Sequence, residues 1–207
     1  MVVLSQVFKV EEKNLTKKFI VLILSMTLLV GILSGCTETK KEEDKPENGE
    51  TETIFSFTFG DETTNYTLEN LESLEEFTGS GTYIKTGWLP DVVLDGPTNF
   101  TGIRVDTLLN QIDNLPDNYS IIVYASDEWT TEYNKSVING QVGIYNESGN
   151  ITQIGSVTML FAYKKEGTYI TDPEEGPIRV AFLDDGKITS SKLWAKMVVA
   201  AELIEQS

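Results

Sequence analysis

Histidine is missing from all 207 residues, and cysteine occurs once. Without imidazole there is no Ser-His-Asp or Cys-His catalysis and no histidine-ligated zinc or haem. A single thiol permits no intrachain disulfide, no thiolate zinc cluster and no iron–sulfur cage. Positive charge is also scarce: 16 Lys and Arg stand against 32 Asp and Glu, a net charge of −16. Such a surface repels phosphate backbones, so nucleic acid is not an expected partner. Apolar material is ample. Hydrophobic residues make up 40% and aromatics 10% of the chain, enough for a core in one medium domain with attachments.

The attachments come first. Residues 13–18 (KNLTKK) are basic, and residues 19–33 (FIVLILSMTLLVGIL) form a 15-residue apolar run. Ser34, Gly35 and the sole cysteine, Cys36, follow. Basic region, apolar region and small residues before a cut site make a secretory signal over 1–35. The run is short for a spanning helix, which needs about 20 apolar residues. The ending Leu33-Ser34-Gly35-Cys36 resembles the lipobox of prokaryotic lipoproteins. That resemblance implies cleavage before Cys36 and alkylation of its thiol by diacylglycerol, which makes Cys36 the membrane anchor. The plainer alternative is an uncleaved anchor helix with an incidental cysteine. Either places the remainder on the extracytoplasmic face of the cell membrane. The stretch before Lys13 is long for a signal, so a start downstream of Met1 fits better. Residues 36–53 are polar, with Pro46 and Gly49, and read as a tether.

The domain spans 54–207 and owns the acidity. Beyond residue 50, nine basic residues face 24 acidic ones, a net of −15. Solubility or adaptation to salt accounts for this better than cation binding, because no carboxylates have the spacing of a calcium loop. Asparagine sequons begin at Asn65, Asn99, Asn118, Asn134, Asn146 and Asn150. Chance placement predicts about two in this stretch, so N-glycosylated surface loops are one reading; a polar, Asn- and Thr-rich composition is the other.

Periodicity predicts mostly strands. Residues 54–59, 82–86, 120–125, 129–133, 141–145, 157–163, 178–183 and 193–203 read as strands. Leu68, Leu71, Leu74 and Phe77 recur at threes on a helix opened by Thr67, and Val105, Leu108, Leu109 and Ile112 share a face of a second. Asp95-Gly96-Pro97 reads as a turn. Two helices among strands without regular alternation predict a single α+β domain on a mixed or antiparallel sheet.

Five segments, in order, carry a family resemblance: Gly81-Thr82-Tyr83-Ile84-Lys85-Thr86-Gly87-Trp88; FTGIRVDTLL at 100–109; IVYASD at 122–127; LFAY at 160–163 with EGPIRV at 175–180; and LWAKMVV at 193–199. Together they resemble the oxidoreductase molybdopterin-binding domain, the sulfite-oxidase-like fold, over most of the folded part. The resemblance implies a molybdenum held by a cysteine thiolate shortly before the Gly87-Trp88 pair. In this chain that position is Ile84, which cannot coordinate a metal. It also implies a phosphate-holding segment before the last strand, where Lys187, Ser190, Ser191 and Lys192 stand; Ser191 falls near an expected glycine.

The candidate cofactor- or ligand-binding residues are therefore Trp88, Ser126, Asp127, Arg179, Lys187 and Lys192. Each has a plainer reading. Trp88, Trp129 and Trp194 read as core or cleft wall; Arg179 as a salt bridge or, through its guanidinium, an anion site; Lys187 and Lys192 as surface lysines. Ser126 and Asp127 read as a turn held by an Asx-type bond, Glu174 and Glu175 as a solvated loop. No catalytic residue and no metal ligand is assigned. The expected function is a membrane-anchored lipoprotein whose degenerate molybdopterin-binding-like domain is a non-catalytic binding or accessory module for a small anionic ligand or a surface protein. The alternative is a molybdopterin-dependent oxidoreductase holding its cofactor without a cysteine.

Overall fold

The computed structural model describes residues 52–85 and 92–206, all within the unit Glu43–Ser207. The signal, Cys36, most of the tether and Trp88 lie outside the described residues.

The described chain is built mostly of strands. In order these are β1 (Phe55–Phe59), β2 (Glu62–Tyr66), β3 (Glu76–Lys85), β4 (Val93–Arg104), β5 (Tyr119–Ala125), β6 (Thr130–Asn134), β7 (Gln141–Tyr145), β8 (Ile151–Ser156), β9 (Thr158–Lys165), β10 (Thr168–Tyr169), β11 (Arg179–Leu183), β12 (Ile188–Ser190) and β13 (Val198–Glu205). Among the described residues helix is confined to α1 (Leu68–Glu72), α2 (Val105–Leu109), α3 (Lys135–Ile138) and a 3-10 turn at Ser191–Leu193. One sheet has the order β2-β1-β13-β5-β6; the other runs β10-β9-β4-β3-β12-β7-β8, with β11 also on β9. Pairings are antiparallel except β1 with β13 and β12 with β3. The mixed sheets are as expected, but the balance is mainly β rather than α+β.

Local chemistry accounts for the difference. The period of three from Leu68 to Phe77 predicts one helix, yet α1 ends at Glu72. Thr67 opens it with a capping box, its side chain accepting from Asn70. The Ser73 hydroxyl donates to the Asn70 carbonyl at 2.7 Å and helps to close it. Beyond lie Gly79 and Gly81, poor helix formers, among Thr78, Thr82, Tyr83 and Ile84, which favour strands. Phe77 therefore sits on β3. Asp95-Gly96-Pro97 is not a chain reversal but lies inside β4, where Gly96 has φ +112° next to a register shift. The predicted strand over 193–203 starts only at Val198, because the preceding residues are spent on the 3-10 turn and on Met197, which has φ +52°.

The core lies between the sheets and is sealed by aliphatic and aromatic side chains such as Phe55, Ile103, Leu160, Phe182 and Val198. Gly102 permits the close approach of β4 to β9: a Cβ there would lie 2.1 Å from the Phe161 carbonyl oxygen. Val198 donates to the Ile178 carbonyl at 2.8 Å, which ties the start of β13 in one sheet to the start of β11 in the other.

Candidate anion site at the junction of the sheets

Arg179 opens β11 at that junction. It is 1% exposed, the largest fully buried side chain among the described residues. Its guanidinium carbon lies 5.0 Å from the Phe100 ring centroid and 5.5 Å from that of Trp194. Trp194 is held in turn by its indole Nε1, which donates to Thr189 Oγ1 at 2.9 Å. Arg179 Nη1 donates to Glu175 Oε2 at 3.4 Å, and the Tyr83 hydroxyl stands beside the guanidinium, but the buried Nε and Nη2 have no partner in hydrogen-bonding geometry. A buried cation with idle donors is costly unless something accepts from them.

Glu175 is the hub beside it. It accepts from Lys165 at 2.8 Å and from Lys196 at 3.1 Å. Burial opposes its ionisation, but these two lysine bonds and the Arg179 charge outweigh it and bring the carboxyl down to about 2. On the other side Tyr83 donates to Asp95 at 2.7 Å, and Lys85 donates to the same oxygen at 3.1 Å. Burial first, then the Asp95 bond and charge, pushes the Tyr83 hydroxyl up to about 12, against the pull of Arg179. Burial also works against ionised Asp95, yet the bonds from Tyr83 and Lys85 lower it. The neighbourhood thus collects Lys85, Lys165, Arg179 and Lys196 against Asp95 and Glu175. Its local charge is positive in a domain that is otherwise strongly negative.

The structure brings part of the predicted set together. Ser126 donates its backbone N–H to the Met197 carbonyl at 2.9 Å, and Met197 donates to the Glu175 carbonyl at 3.1 Å. The β5–β6 turn therefore borders the cluster. Asp127 Oδ1 accepts from the Trp129 N–H at 3.1 Å, the Asx-type turn of the plainer reading. Lys187 is elsewhere, beyond the far end of β11, paired with Asp184 at 2.7 Å and donating to the Ser156 carbonyl. Lys192 is exposed on the 3-10 turn. Two expectations need correction. Glu175 is not a solvated loop residue, since three cations and burial enclose it; Glu174 is exposed as expected. Trp129 is neither core nor cleft wall but 68% exposed, because it follows the hairpin turn beyond the edge of the core. Lys165, Lys196, Tyr83 and Asp95 are not singled out in the sequence. Their separation along the chain hides a proximity that only strand register creates.

The metal centre of the family resemblance can be tested directly. Ile84, in the position of the thiolate, is 0% exposed and paired in register with Leu94 and Ser190. Among the described residues no group of three or more ligating side chains is placed to hold a metal ion. These residues do not fit a thiolate-held molybdenum. The idle donors of Arg179 do fit an anion.

No family model matches the sequence, and no curated protein matches it. In fold, the chain is similar to the crystal structure of the sulfane dehydrogenase SoxCD from Paracoccus pantotrophus. The TM-score is 0.50 at 10% identity, over 73% of this chain and 38% of that one. This chain therefore spans well under half the length of that neighbour, and the two share a related fold.

Proposed function

We propose that this chain is an extracytoplasmic lipoprotein, anchored through Cys36, whose domain is a non-catalytic module that binds a small anionic ligand at Arg179. The observation that carries the binding reading is the pair of buried, unpartnered donors Nε and Nη2 on one guanidinium. An oxyanion with two acceptor oxygens matches that fork. Lys165 and Lys196, each 40% exposed, stand at the outer side of the same cluster and favour an approaching anion. The reading as a binding module rather than a catalyst is supported by Ile84, whose side chain offers no ligand to a metal. The anchor reading is supported by the order of basic residues, apolar run, small residues and Cys36. The six sequon asparagines are all exposed, which suits glycan attachment.

Calorimetric titration of the detergent-purified chain with inorganic phosphate and with sulfate tests the site. Binding is expected, weakened at least about tenfold, or 1.4 kcal/mol, by Arg179→Gln. Lys196→Gln, on the more exposed rim, is the control for misfolding and is expected to weaken binding by a smaller factor. Absence of binding by the intact chain overturns the reading. A second reading, an oxidoreductase that holds molybdopterin through the same guanidinium, is favoured by the likeness in fold. Stoichiometric molybdenum in the purified chain would establish it in place of the first. Lipid attachment is read by mass spectrometry, with Cys36→Ala expected to release the protein from membranes.

A further inference from the structure

The β1–β2 hairpin closes through Gly60 and Asp61, with Gly60 at φ +58°. Its register sets three cross-strand pairs on one face: Phe55–Tyr66, Phe57–Thr64 and Phe59–Glu62. Along that face the packing opens outward: Phe55 and Phe57 are buried, Phe59 is half-buried and Glu62 is exposed. Asn65, the sequon residue of β2, belongs to the other face, where its Oδ1 accepts from the Ser56 hydroxyl at 2.9 Å. Across from the hairpin stand α2 and the turn after it, with Leu108 buried, Ile112 half-buried and Asp113 exposed. Between hairpin and helix lies a cavity of about 570 Å³, within the size range of small-molecule sites. It shares no lining residue with the Arg179 cluster.

Tyr66 lines this cavity and is 7% exposed. Burial alone raises its hydroxyl above the usual tyrosine value; no hydrogen bond or charge contributes. A buried hydroxyl without a partner is costly unless a ligand or water supplies one. The charge around it is of one sign. Asp61, Glu62 and Asp113 line the cavity, and no lysine or arginine does. Among the described residues none of the three carboxylates has an ion-pair partner. Such a field favours a cation. A metal ion does not fit, since among the described residues no three ligating side chains converge to hold one. Phe57, Phe59, Leu108 and Ile112 offer aromatic and aliphatic surface instead, which suits carbon beside a charged nitrogen. We propose that this cavity binds a small organic cation: an ammonium group on an apolar body that carries a further polar atom. The exposed carboxylates receive the ammonium, the aromatic and aliphatic side chains receive the body, and the Tyr66 hydroxyl receives the polar atom.

Tyramine, an ammonium on a phenol, is the probe. Its counterparts are para-hydroxyphenylacetate, with a carboxylate in place of the ammonium, and calcium chloride. Each is titrated into the detergent-purified full chain, isotope-labelled on tyrosine, and the Tyr66 ring resonance is followed, identified by its loss in Tyr66→Phe. Tyramine is expected to shift that resonance saturably; the other two are not. By calorimetry the double variant Glu62→Gln, Asp113→Asn is expected to weaken tyramine binding about fivefold. Its melting temperature should be unchanged, since both side chains are exposed. Tyr66→Phe keeps the ring and is expected to weaken tyramine about threefold. A Tyr66 resonance that tyramine does not shift, equal binding of para-hydroxyphenylacetate, a calcium-induced shift that tyramine reverses, or a double variant that binds as well as the parent overturns the proposal.

Discussion

Trp194 stands between Thr189 and Arg179: its indole N–H is bonded to the threonine hydroxyl at 2.9 Å, and its ring lies 5.5 Å from the guanidinium carbon. The ring also packs 4.9 Å from Tyr83 and 5.6 Å from Phe100, centroid to centroid. One side chain thus sets the wall against which the buried cation rests.

Trp194→Phe keeps an aromatic wall but strands the Thr189 hydroxyl, which is 0% exposed and otherwise reaches the Thr82 carbonyl at 3.4 Å. A loss of about 1–3 kcal/mol is expected in urea unfolding. Because the lost bond is shared, Thr189→Val should cost much less in the Trp194→Phe background than in the parent, a non-additivity that a double-mutant cycle measures.

Glu175→Gln separates charge from shape at the hub. The folded carboxyl lies at about 2, below its ordinary 4.5, because the hydrogen bonds of Lys165 and Lys196 and the Arg179 charge outweigh burial. A depressed carboxyl stabilises the fold above its unfolded value, and that contribution is lost as pH falls from about 4.5 to 2. The variant is expected to be less stable by about 1–3 kcal/mol near neutral pH. The gap between variant and parent should close as pH falls through that window. Parallel denaturant titrations at a series of pH values check it.

Gly81→Ala probes the packing behind the site. A Cβ on Gly81 would sit 2.6 Å from Trp194 Cη2, 2.9 Å from Leu183 Cδ2 and 3.0 Å from the Phe182 carbonyl oxygen. The ring cannot yield without losing its bond to Thr189. A destabilisation of about 1–3 kcal/mol is expected, together with weaker phosphate binding as the wall beside Arg179 shifts.

Asn134 caps α3, its Oδ1 accepting from the Val137 N–H at 3.0 Å. A glycan at this sequon would use the amide nitrogen and leave the capping oxygen in place. Asn134→Asp should keep the cap and abolish any modification there, while Asn134→Ala should cost about 1 kcal/mol. Thermal unfolding together with intact-mass measurement distinguishes the two effects.

Strands whose inward residues alternate or run continuously apolar can be read along the chain: 120–125 and 141–145 match β5 and β7 almost residue for residue. Arg179 is legible for the same reason, as a lone cation in the apolar run beginning β11. The helices are less legible, because a spacing of three in 68–77 competes with glycines and β-branched neighbours whose preference is realised only once β3 pairs with β4. Glu175 is illegible as a hub. Its partners Lys165 and Lys196 are 10 and 21 residues away, and nothing local distinguishes it from Glu174.

Composition and one-dimensional order settle what depends on neighbours in the chain: the lack of imidazole, the excess of acidic residues, the order of basic, apolar and small residues ahead of Cys36, and most strands. Register and the meeting of the two sheets settle the rest. They seal Ile84 in the core and gather three scattered lysines around Arg179. Such placements depend on pairing across the fold, where one residue of slippage reverses every side chain, and no local pattern encodes that choice.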